Sequence, residues 1–98
     1  MNAWPFDQIP KTAAITDRQV LKEEKDICLV LHYSDDHSWA FLSGVSDGDK
    51  NGKVICMSEA LDMDGTIAEI ADLPPGWMAW GEQRGAEWQR AKNENEDG

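Results

Sequence analysis

Apolar positions along the chain fall in short runs separated by clusters of Gly, Pro, Asp and Asn. From Ile27 to Tyr33 the run is β-branched and apolar at both parities, the pattern of a strand buried on two faces. Ser34-Asp35-Asp36-His37 interrupts it as a turn, and Trp39 to Leu42 returns as the second arm of a β-hairpin. Val45 to Gly52 reads as a loop, and Lys53 to Met57 as the next strand. Trp77 to Gln83 and Ala86 to Ala91 predict a last hairpin across Arg84-Gly85. Thr16 with Gln19 three positions later is a capping-box pattern, opening a helix from about Asp17 to Glu24 with Val20 and Leu21 buried. Ser58 can cap a helical turn through Leu61, and Asp64 or Thr66 starts a second helix that ends near Leu73. Pro74-Pro75-Gly76 stops that helix with the residues of a type II turn. The pattern predicts an α+β fold: an antiparallel sheet of four to five strands with two to three short helices on one face.

Pro5 and Pro10 each disfavour helix at the residue before them, so residues 1–13 read as an extended arm packing on the domain through Trp4 and Phe6. Residues 1–92 form a single domain, and 93–98, with no apolar side chain to bury, a disordered acidic tail. No basic stretch followed by an apolar run opens the chain, and the longest unbroken apolar stretch, Ile27 to Leu31, is far too short to span a bilayer. Cys28 and Cys56 lie in separate apolar runs without a CxxC spacing, which suits reduced thiols and a cytoplasmic protein.

Charge narrows the function classes. Nineteen Asp and Glu against nine Lys and Arg give a formal charge of −10. Such a chain lacks the cations needed to replace counterions on a nucleic acid or to meet an anionic membrane, so neither is an expected partner. Residues 23–80 alone hold twelve acidic and three basic residues, a net −9. The acidity therefore belongs to the middle of the domain, where it offers a surface to a basic protein.

Three constellations carry candidate chemistry. Asp47, Asp49 and Asn51 ahead of Gly52 match the opening of an EF-hand calcium loop, although Ser58 stands where the bidentate carboxylate belongs and Glu59 comes one residue late. Asp62-Met63-Asp64-Gly65-Thr66 resembles the nucleophile loop of haloacid-dehalogenase-type phosphatases. The segment before it is not a buried strand, however, and no βαβ pattern follows, so a helix cap by Asp64 or Thr66 accounts for it more simply. His32, Asp35, Asp36 and His37 include zinc-ligand types, but a strand position and a turn position do not converge the two imidazoles. No catalytic set and no cofactor emerge. Among five tryptophans, Trp39 shares a strand face with Phe41 and Trp77 shares one with Ala79, while Trp80 takes the opposite face with Met78. Trp39, Trp77 and Trp80, with Asp35 and Asp36, are the candidate binding residues.

The string from Ala14 through Leu21, then Trp39-Ala40-Phe41-Leu42-Ser43-Gly44, then Ile67 through Trp80 with its Leu-Pro-x-Gly-Trp-x-Ala-Trp ending, resembles a group of small bacterial proteins that share a domain of unknown function. In that group the helix start usually reads Asp-Pro-Ser, where this chain has Asp64-Gly65-Thr66. More distantly, the order of helix, hairpin and Trp-x-Phe-x-x-Gly is similar to immunity-type domains of bacterial toxin systems. The resemblance implies an acidic, non-enzymatic α+β module that binds and blocks a protein, and it transfers no catalytic residue. The expected function is a non-catalytic interaction module for a basic partner. The alternative is a small metal- or ligand-binding protein using residues 47–52 or 32–37. Oligomeric state is left open.

Overall fold

The computed structural model describes residues 4–6, 8–23, 25–44, 53–83 and 85–93. Six strands, β1 (Ala13–Thr16), β2 (Leu29–His32), β3 (Trp39–Leu42), β4 (Lys53–Cys56), β5 (Trp77–Trp80) and β6 (Gln89–Lys92), form one sheet in the order β4-β1-β3-β2-β5-β6. Helices α1 (Arg18–Glu23) and α2 (Met57–Met63) and a 3-10 helix (Gly65–Ile70) complete the α+β architecture. None of the helices among the described residues is long and apolar enough to cross a membrane.

The sheet is larger than the hydrophobic pattern predicts, and it is mixed rather than antiparallel. The added strand is β1, which pairs antiparallel with β4 and parallel with β3. Ala13-Ala14-Ile15-Thr16 has too little bulk to register as a strand, and Thr16 looks like a helix cap. Its Oγ1 instead donates to the Phe41 carbonyl at 2.7 Å, across the parallel seam. The cap of α1 is Asp17, whose Oδ1 accepts the Val20 N–H at 2.9 Å. Its Oδ2 accepts both the N–H and the hydroxyl of Ser43 at 2.9 Å, tying the start of α1 to the exit of β3.

Ser58 does not cap α2. Cys56 holds that position, and the Glu59 carboxylate accepts its N–H at 3.1 Å. The next two N–H groups find acceptors in the N-terminal segment: Met57 donates to Thr12 and Ser58 to Pro10. That segment thereby satisfies donors every helix start leaves open. At the 3-10 helix Asp64 is the cap; its buried Oδ1 accepts from Thr66 N–H at 2.9 Å and Thr66 Oγ1 at 2.6 Å. Pro74-Pro75-Gly76 turns as read: Trp77 N–H donates to the Pro74 carbonyl, and Gly76 takes a φ of 87°, which a side chain would strain.

Strand register sorts the side chains. Ala14, Thr16, Val30, His32, Trp39, Phe41, Ile55 and Ala79 share the inner face, where all are buried. Phe6, Val20, Ile27, Met57, Ile67, Ile70 and Leu73, from the helices and connecting segments, join the same core. At its centre the Trp39 ring stacks on His32 at 3.9 Å and takes the edge of Phe6 at 5.1 Å. The other face carries the buried Ala40 and, around it, Ile15, Leu29, Leu31, Leu42 and Met78, all partly exposed, with Val54 69% and Trp80 39% exposed. Truncating the fully buried ring, Trp39→Ala, is expected to cost about 3–5 kcal/mol, a large fraction of a small domain's stability, measurable by urea denaturation.

Candidate functional site: an acidic helical layer and its sheet end

From Val54 to Gln83 the chain contains no Lys or Arg but six acidic residues. This stretch supplies α2, the 3-10 helix and β5. Met57, Ala60, Ile67 and Ile70 point into the core, which turns Glu59, Asp62 and Glu69 to solvent. Asp72, just beyond the 3-10 helix, is also exposed but neutralised: Arg90 Nη1 donates to its Oδ1 at 2.7 Å, while Nη2 donates to the Glu69 carbonyl at 2.8 Å.

Where this layer returns to the sheet it meets the β2–β3 turn. The Leu73 carbonyl lies 2.7 Å from His32 Nδ1, and Gly76 N–H donates to the His32 carbonyl at 2.7 Å. The turn that follows β2 places Asp35 and Asp36 at the surface. Asp35 Oδ1 accepts the Asp36 N–H at 2.9 Å and Asp36 Oδ1 the Ser38 N–H at 3.0 Å. His37 closes the turn with a φ of 60°, and its carbonyl accepts from the Gln8 side chain at 3.0 Å. The Ser38 hydroxyl, then the Ser38 N–H, hold the Asp36 carboxyl below the ordinary carboxylate range. Trp77 is Cα partner to His32, so this half-exposed indole sits at the same end of the sheet, on the helix-covered side. Lys92 is its neighbour on β6.

The candidate binding residues thus separate. Asp35, Asp36 and Trp77 occupy one end of the molecule. Trp39 is wholly buried and has no surface to offer a partner. Trp80 opens on the opposite sheet face, toward a concavity of about 270 Å³ lined by Gly81, Glu82, Ala86, Glu87 and Gln89. Glu69, exposed on the 3-10 helix, adds a carboxylate to the same helix-covered side, which no local motif marks. A run of thirty residues without a cation, 54–83, is the sequence signal for the helical carboxylates, while Asp35 and Asp36 lie outside it.

The metal candidates fare differently from their spacing. His32 and His37 do approach, with ring centroids 6.1 Å apart, because the left-handed residue 37 folds the turn back over β2. His32, however, lies flat on Trp39, and among the described residues no three His, Cys, Asp or Glu side chains gather around one point. The calcium-like loop with Asp47, Asp49 and Asn51 lies outside the described residues, as does the tail beyond Asn93. In the phosphatase-like motif Asp62 faces solvent while Asp64 caps the 3-10 helix, so the two carboxylates do not converge.

Cys56 on β4 and Cys28 ahead of β2 are separated by β1 and β3, three strand spacings of ~4.8 Å, too far for a disulfide. Burial, then Asp26 and Asp64, raise the Cys28 thiol above its usual range, which disfavours a reactive thiolate. Comparison with protein-family models, curated proteins and solved structures finds no match for the chain.

The turn geometry has a pH consequence. A carboxyl whose folded pKa is depressed stabilises the fold above the unfolded pKa of ~3.9 and loses that contribution as pH falls through the folded value. Carboxyl NMR titration should place the Asp36 midpoint below that of a free aspartate, and Ser38→Ala should move it upward. An unchanged midpoint would remove the Ser38 hydroxyl as its leading cause.

Proposed function

We propose that the protein is a non-catalytic interaction module that binds a basic protein partner through its helix-covered, acidic side. The observation that carries this reading is the cation-free stretch from Val54 to Gln83, whose helices turn carboxylates to solvent. Glu59, Asp62 and Glu69 face solvent from the helical layer, and Asp35, Asp36 and the half-exposed Trp77 mark the end of the sheet beside it. Exposed carboxylates and an exposed indole suit Lys and Arg side chains, which pair with acids and stack on aromatic faces. Asp36 keeps its charge to lower pH than an ordinary aspartate, and its turn is fixed by hydrogen bonds, so little order need be imposed on binding. An immunity-type role, in a cytoplasmic protein that blocks a basic toxin, is the specific form of this reading that the sequence resemblance suggests.

Affinity capture on the immobilised protein at about 0.05 and 1 M salt tests it, because the Debye length falls from roughly 14 Å to 3 Å across that range. The expected result is a basic protein retained at low salt, released at high salt, and lost on Asp35→Asn/Asp36→Asn/Glu69→Gln. Retention that ignores both salt and the substitutions would sink the reading.

A further inference from the structure

Each of the six strands turns two side chains away from the helices, and none of those twelve positions holds a charged residue. The charged strand residues, Lys53, Arg90 and Lys92, all stand on the opposite parity and on the two edge strands. A sheet face left to water ordinarily alternates polar residues into its strands. Here the outer positions include Ile15, Leu31, Leu42, Val54, Met78 and Trp80, in a chain that is 29% charged.

We infer that this face is the contact between two copies of the chain, which pair sheet against sheet. Charge decides the occupant. A basic partner would be met by carboxylates, and an anionic surface by cations, but these twelve positions offer neither. The matching surface is another uncharged, aliphatic, gently twisted sheet, and a second copy presents one by symmetry, in an isologous contact that closes at two. Two chains of −10 repel each other over most orientations. Back to back, their exposed helical carboxylates point away from one another, so this approach is the least opposed.

Five strand spacings by four residues give a flat footprint of roughly 24 by 13 Å, or about 300 Å² per copy. That is well short of the ~800 Å² per partner of a standard stable interface, so the pairing is weak and reversible. The inference does not rest on the basic-partner reading: the dimer leaves Asp35, Asp36, Glu69 and Trp77 open.

Sedimentation velocity from about 1 to 500 μM tests it, the expected course being a rise from 11.0 kDa toward twice that mass. About 1 M salt should strengthen association, since it screens repulsion and leaves apolar burial intact. Trp80→Glu and, separately, Val54→Glu should each weaken pairing at least ~10-fold. Val54 is 69% exposed, so its variant folds as the parent does, and circular dichroism checks both. Asp62→Lys/Glu69→Lys should not weaken pairing, since it lowers the repulsion between copies, while it impairs capture of a basic partner. A wild-type chain that stays at 11.0 kDa at the highest concentration overturns the inference, as does a folded Val54→Glu and Trp80→Glu pair that associates undiminished.

Discussion

His32 is the joint on which the molecule's two sides depend. Its ring is sandwiched into the core against Trp39, at 3.9 Å and 15° from parallel. Its Nδ1 bonds the carbonyl of Leu73, and its own carbonyl takes the N–H of Gly76. One residue therefore locks the exit of the 3-10 helix, the Pro-Gly turn and the start of β5 to the centre of the sheet. Because β5 continues the register of β2, that joint also fixes parity: Ala79 goes in, and Met78 and Trp80 go out. Had β5 slipped by one residue, both tryptophans would exchange faces.

Parity in turn separates the charges. The segments that fold over the inner face bring their apolar residues to the core and leave carboxylates on its solvent side, while the outer sheet face keeps no ionised group at its strand positions. An acidic chain of this size could have scattered its charge evenly for solubility. Instead one side turns helical carboxylates to solvent, and the strand positions of the other are uncharged and mostly aliphatic. Such an arrangement is unfavourable for an isolated monomer, since the neutral side exposes apolar area to water. It makes physical sense when each side has its own kind of contact.

Much of this was legible before the fold was known. The strand from Ile27, the hairpin to Leu42, the Pro-Gly turn and the opposed faces of Trp77 and Trp80 all follow from side-chain period and turn chemistry. What escaped was non-local. β1 is a strand because β3 and β4 offer it hydrogen bonds on both edges, not because Ala13-Ala14-Ile15-Thr16 has strong strand character. Thr16 and Ser58 look like caps, but Asp17 and Cys56 hold those positions: β1 takes Thr16 into the sheet, and α2 takes Met57 from the end of the predicted strand. The approach of His37 to His32 depends on a positive φ at a non-glycine residue, which spacing does not encode.

Charged and neutral faces are not equally legible in a sequence. Clustered acids in sequence announce a charged side, but a neutral face is assembled from alternate residues of six strands far apart in the chain. Ile15, Leu31, Val54 and Met78 become neighbours only through register. In the run from Ile27 to Tyr33, apolar character at both parities had one interpretation, burial on two faces. In the folded chain the inner parity is covered by helices while Leu29 and Leu31 remain partly exposed, so the pattern of a two-sided strand is met on one side only. Among the described residues, the helices and connecting segments cover the inner parity alone, so a period that specifies burial on both faces is met here on one.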